Sequence, residues 1–390
     1  MPLKQFTIVF SITLIILFYL VAVNPFWGKF LVSSYDGFTV HHISTIVTKE
    51  AKNQILKQEA LLKYIYQNVT HEINTNIYPI TDHPPIDLLI RGIGACDQVA
   101  DLFTDFLKLL DLRGFGLVLT KLKEDKWTSP HTVAVIVPRS MSEDAYRAMH
   151  PPYPSFLKIQ PNVKNQPPSM GRKIGGVVDP LFGILYKNIK NQPATIDDIC
   201  TRNIISSQIK FLDIHNKFFG SELYCNPVNI WWAKTPISEH RKWRQWAYKH
   251  IYPILPIWAI HLYQDLVLAK GYGHLYEGTS FAFFKARNYQ LYERFDESIE
   301  NYDQVIAKTP DKEILSASIF WKGMIYFRKK EFVKSKNMFE SIKNNYPKSG
   351  FAIGADKWLS RIALNREAFS NSHTEPVPFY EVDFNIFREG

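Results

Sequence analysis

Cysteine is scarce in this chain, with three residues in 390. So few cannot build a disulfide scaffold, and neither Cys200 nor Cys225 has the paired CxxC spacing of a structural zinc site. Charged residues are also few, at 21% against 46% hydrophobic. That balance excludes a disordered chain. The net charge of +9 comes without any recognisable nucleic-acid module, so an anionic membrane surface or acidic polymer is the preferred partner and nucleic acid is not expected. Gly171 to Gly176 lacks the flanking strand and helix of a nucleotide loop. No cofactor and no metal site are expected from the sequence.

Long apolar runs are equally rare. Phe6 to Val23 is an uncharged apolar stretch of 18 residues, just long enough to span a bilayer as a helix. Val21-Ala22-Val23 makes a poor cleavage site, so an uncleaved anchor over residues 1–30 is favoured over a signal peptide. Lys4 and Lys29 flank the run almost evenly, and an inside-N orientation is the default. The remaining domains are then expected outside the cytoplasmic membrane. A second run, Ile251 to Leu268, is interrupted by Pro253, Pro256, His261, Gln264 and Asp265. Charges are costly in hydrocarbon, so this run is read as a buried or interfacial helix beside the basic, Trp-rich flank Trp231 to His250. A peripheral adaptor resting on that flank is a further reading.

The chemistry concentrates around Arg91 to Leu110. Gly92 and Gly94 form a turn, and Val99, Phe103, Phe106, Leu107 and Leu110 follow at helical spacing. Cys96 therefore opens a buried helix. The helix dipole and the unpaired N–H groups at that end stabilise a thiolate, although Asp97 next to it opposes one. Thr48 to Ile73 also reads as helix. Phe115 to Thr120, His131 to Pro138 and Gly175 to Pro180 read as short strands, with His131 opening the second and Asp179 closing the third. Residues 139–173 read as an insertion or long loop. A nucleophilic cysteine needs a histidine to take its proton and a third group to orient that histidine; Cys96, His131 and Asp179 supply all three. Cys96 is then the free thiol; Cys200 is expected to pair with Cys225, with three unpaired thiols as the alternative reading.

This order of elements resembles the transglutaminase-like superfamily, which shares its fold with papain-like cysteine enzymes. The matching residues are Gly94-Ala95-Cys96, His131-Thr-Val-Ala-Val and Val178-Asp179-Pro180. Cys96-Asp97-Gln98 is similar to bacterial membrane-anchored members. Animal members carry an aromatic residue where Asp97 stands, and the chain has no calcium-loop carboxylate clusters. The resemblance implies an α+β fold, with the nucleophile helix packed on a small antiparallel sheet over residues 48–190. It also implies a cysteine hydrolase or acyltransferase acting on amide bonds of a protein or cell-envelope peptide, with Cys96, His131 and Asp179 as the catalytic residues.

Residues 191–278 read as a basic, aromatic-rich connecting region. Beyond it lies an internal repeat. Ala286, Tyr289, Ser298, Tyr302 and Pro310 recur 37 residues later as Gly323, Tyr326, Ser335, Phe339 and Pro347. This pattern resembles the tetratricopeptide helical hairpin of about 34 residues, and the excess is expected in a longer turn at Asp311 to Leu315. A third unit begins near Tyr346. Residues 279–365 then form an all-α repeat domain able to hold a protein partner, and 366–390 a tail. The alternative function is a catalytically silent, membrane-anchored scaffold in envelope polysaccharide assembly.

Overall fold

The computed structural model describes residues 25–70, 84–94, 96–110, 112–123, 126–137, 175–219, 224–225, 230–232, 250, 252–272 and 278–370. The apolar run Phe6 to Val23, the insertion 139–173, the basic stretch 233–249 and the chain beyond Ser370 lie outside the described residues. The chain forms two compact units: one from residues 1–42 and 239–308, the other from residues 43–238 and 309–390. The architecture is mixed, helical with one small antiparallel sheet.

The second unit holds the sheet. Its helices α2 (Gln54–Asn68), α3 (Pro84–Arg91) and α4 (Cys96–Leu109) precede the strands; a first helix, α1 (Pro25–Thr48), starts in the other unit. Asn53 caps α2 by accepting from the Leu56 N–H, which satisfies one of the orphan donors of a helix start. The strands are β1 (Arg113–Lys123), β2 (Lys126–Val137), β3 (Gly176–Asp179), β4 (Ile184–Leu185) and β5 (Ile230–Trp232), in the order β4-β3-β2-β1-β5. All neighbouring pairs are antiparallel, and α4 packs against β1 and β2.

Two strand assignments differ from the sequence reading. β2 starts at Lys126, so His131 lies inside the strand, opposite Leu119. The register slips between Leu119 and Lys121, and the extra residue falls beside Pro130, which has no N–H for the ladder and is tolerated at such a bulge. β5, placed by sequence in the connecting region, is an edge strand paired to Leu117, Val118 and Leu119 of β1. One face of the sheet, with Leu117, Leu119, Val133, Val135 and Val177, is covered by Ile196, Ile199, Ile204, Phe211 and Leu212. Those residues come from α5 (Ile196–Cys200), α6 (Ser206–Phe219) and their link.

The expected Cys200–Cys225 disulfide does not form. No disulfide joins them, and Cys200 and Cys225 pack against the same apolar cluster.

The first unit contains α7 (Ile257–Leu266), α8 (Gly278–Leu291) and α9 (Phe295–Lys308). Tyr35 of α1 stacks on Tyr292 at 6.0 Å and donates to Asn288 Oδ1 at 3.0 Å. The run Ile251 to Leu268 is broken into a 3-10 turn, the ten-residue α7 and a π turn. Among the described residues, no helix is long and apolar enough to cross a membrane. Ile260 and Gln264 of α7 are buried, whereas Ile257, Trp258 and Leu262 are exposed.

The repeat is visible in hydrogen bonds as well as in sequence. Ser298 Oγ donates to the Ala286 carbonyl at 2.7 Å, tying α9 to α8. Ser335 Oγ donates to the Gly323 carbonyl at 2.9 Å, tying α11 (Phe332–Asn345) to α10 (Lys312–Arg328). The excess residues are not in a turn. α10 has 17 residues where α8 has 14. Asp311 caps α10 by accepting from the Glu313 and Ile314 N–H groups, so the helix starts where a loop was expected. The third unit contributes α12 (Phe351–Ser370), which runs into the expected tail.

Candidate active site

The turn before Cys96 is held from two sides. The Thr70 N–H donates to the Gly92 carbonyl at 2.7 Å, and the Gly94 N–H donates to the Thr70 carbonyl at 3.1 Å. These bonds fasten the turn to the end of α2. Gly92 has φ +69°, a left-handed conformation that only glycine adopts without penalty. A side chain there would also run into the indole of Trp321 on α10. The second unit's helical repeat thus packs directly on the turn that presents Cys96.

Cys96 begins α4 as the sequence predicts, and it is partly exposed. Asp97 is exposed, so its carboxylate is turned to water.

His131 and Asp179 come from adjacent strands. Val135 pairs with Val177 and Ala134 with Val178, so Asp179 falls on the same sheet face as His131, one diagonal step away. His131 Nε2 and Asp179 Oδ2 are 2.6 Å apart, with both side chains at most 1% exposed. Such a bond between a buried imidazole and a carboxylate is charge-assisted and short. Cys96 lies near enough to help raise the His131 pKa. The structure therefore brings together all three residues singled out from the sequence.

Burial alone would lower the His131 pKa. The Asp179 charge and hydrogen bond, together with Cys96, outweigh it and raise His131 to about 9. The ring is thus an imidazolium at neutral pH, compensated by Asp179 rather than by water.

Three further side chains were not anticipated. Tyr224 donates to Asp179 Oδ2 at 3.4 Å, and Tyr186 donates to the Tyr224 hydroxyl at 3.3 Å. Burial, with Asp179 close by, holds both phenols well above their usual pKa, so they stay protonated as donors. The Phe182 N–H reaches Asp179 Oδ1 at 3.4 Å, giving the second carboxylate oxygen its own donor. His215 on α6 lies with its ring centroid 5.2 Å from that of His131 and is 3% exposed. Phe182, Phe211 and Tyr224 surround it. Burial first, and the charge on His131 second, hold His215 well below the ordinary histidine range, so it is neutral.

The signal for His215 was present but faint. Gln208, Phe211, Leu212 and His215 recur at helical spacing on a buried face, which marks a buried histidine without naming its neighbour. His131, Asp179 and His215 each place one ligand-capable atom within 4.8 Å of the others. No known protein family, curated protein or solved structure matches the chain.

Proposed function

We propose that the chain is a transglutaminase-like cysteine enzyme that cleaves or transfers acyl groups at amide bonds of a protein or peptide. The observation that carries this reading is one cluster: Cys96 at a helix N-terminus, and a buried His131 that feels Cys96 and whose Nε2 is held by Asp179. A histidine raised to about 9 is protonated at neutral pH, so it holds a proton ready for a leaving group.

The chemistry follows from that arrangement. The Cys96 thiolate attacks the acyl carbon, and the tetrahedral oxyanion is met by backbone N–H groups at the start of α4. His131 then gives its proton to the departing amine, and the acyl group remains on sulfur. Water or a second amine attacks that thioester, with the now neutral His131 as base. Water gives hydrolysis and an amine gives transamidation. Asp179 keeps the ring oriented throughout, and Tyr224 and the Phe182 N–H keep Asp179 in place.

The cellular setting is part of the proposal. Phe6 to Val23 serves as a membrane anchor, and the main domains lie on the extracytoplasmic side. The exposed Ile257, Trp258 and Leu262 of α7 suit a bilayer interface, since aromatic and aliphatic side chains partition there.

Alkylation of the full chain with iodoacetamide, followed by peptide mass spectrometry, tests the catalytic reading. An ordinary thiol is only a few per cent ionised at neutral pH, so Cys96 should react up to about 30-fold faster than the same cysteine in the denatured chain. His131→Ala should remove that excess. Equal slow labelling in both proteins would leave the cluster without a nucleophile.

A further inference from the structure

The cluster contains a donor set that the proposed reaction does not use as such. His131, Asp179 and His215 are two imidazoles and a carboxylate, all buried, from β2, β3 and α6. Two histidines and one carboxylate are a recurrent set for first-row divalent metals, with a further position left open. The carboxylate is also prepared as such ligands are: Tyr224 donates to Oδ2 and the Phe182 N–H to Oδ1, and outer hydrogen bonds of this kind orient a ligating oxygen. Phe182, Phe211 and Tyr224 wall the set on the His215 side.

We propose that His131, Asp179 and His215 form a binding site for a divalent first-row metal ion of the zinc type, and that its occupation silences Cys96. The silencing rests on the enzyme reading above; the metal binding does not. The three ligand atoms already lie within 4.8 Å of one another. Tetrahedral zinc with bonds of about 2.1 Å sets ligand atoms about 3.4 Å apart. Nε2 of His131 and Oδ2 of Asp179, now 2.6 Å apart, would open by under about 1 Å, and His215 would turn inward. The proton between His131 and Asp179 leaves to solvent as the metal takes its place, and no electron is transferred. With Nε2 held by the metal, His131 is no longer free to carry the proton that catalysis at Cys96 needs. Catalysis and metal binding compete for the same two side chains, and His215 belongs only to the metal state.

Full-length protein is freed of metal with a chelator and titrated with Zn2+ in a calorimeter, with Cys96 alkylation followed in parallel. The expected result is one saturable Zn2+ per chain, alkylation slowed at least 10-fold by Zn2+, and restoration by chelator. His215→Phe should weaken Zn2+ binding by at least about 10-fold. His215→Gln is the second variant if the first fails to fold, since it keeps a polar group in the space. Absence of saturable binding overturns the proposal, as does Zn2+ bound equally tightly by the folded His215 variant, which marks surface adsorption only. If metal-free Cys96 labels slowly while Zn2+ still binds through His215, the enzyme reading fails and the metal site stands. If Cys96 labels fast and Zn2+ does not bind, only the metal site falls.

Discussion

At the residue scale the decisive contact is His131 with Asp179. Neither residue is unusual in the sequence, and both are nearly inaccessible to water. An ion pair so buried survives only because each charge compensates the other and further donors satisfy the carboxylate. The folded-state pKa of His131 is raised to about 9 from an ordinary 6.5. The folded protein therefore holds one more proton than the unfolded chain between those two values. The stabilisation is fully present below about pH 6.5 and is lost as the pH rises through about 9, at roughly 1.4 kcal/mol per pH unit for one proton. Urea unfolding at a series of pH values should show that slope in the wild type. Asp179→Asn should flatten it, because the neutral amide no longer favours the imidazolium. An unchanged slope in the variant would mean that another group carries the proton.

At the scale of elements, the Cys96 helix depends on what holds its first turn. Gly92 is left-handed and lies under Trp321. A left-handed non-glycine residue costs about 1–2 kcal/mol, and overfilling a packed contact about 1–3 kcal/mol more. Gly92→Ala should therefore destabilise the fold by about 2–5 kcal/mol in denaturant and slow Cys96 alkylation in the molecules that remain folded. Wild-type stability in this variant would show that the turn relaxes freely. The same contact changes the meaning of the helical repeats. Arg361 of α12 donates to the Tyr66 hydroxyl at 2.8 Å, and Lys357 lies 3.8 Å over the same ring. α10 and α12 thus support α2 and the Gly turn, so these repeat helices are part of the core of the sheet-bearing unit and more than a surface for partners.

At the scale of the whole molecule, two units interrupt each other along the chain. Linear domain boundaries at residues 190 and 278 cross that arrangement. β5 returns to the sheet from well beyond Asp179, and residues 309–370 join the sheet-bearing unit. The proposed anchor is checked at this scale. Membranes from cells expressing the full chain, washed in alkaline carbonate, should retain it, because an inserted helix is not released by stripping charge contacts. Recovery of the protein in the wash would remove the anchor and leave only a peripheral contact.

Much of the site was legible in the sequence because its signals are local. A Gly turn followed by apolar residues at helical spacing fixes the start of α4 and places Cys96 there. Short β-branched runs mark β2 and β3, and with them His131 and Asp179. The 37-residue recurrence of Ser298 and Ser335 marks paired helices, since each serine needs a carbonyl on the helix before it. What tertiary structure alone decided are the relations between distant segments. Only packing brings His215, Tyr224 and Tyr186 to Asp179, for a buried histidine or tyrosine has no local pattern that names its partner. Only packing sets Trp321 on Gly92, pairs β5 with β1, and leaves Cys200 and Cys225 without a disulfide between them. Local spacing carries the geometry of one helix or strand; which faces meet depends on how all of them exclude water at once.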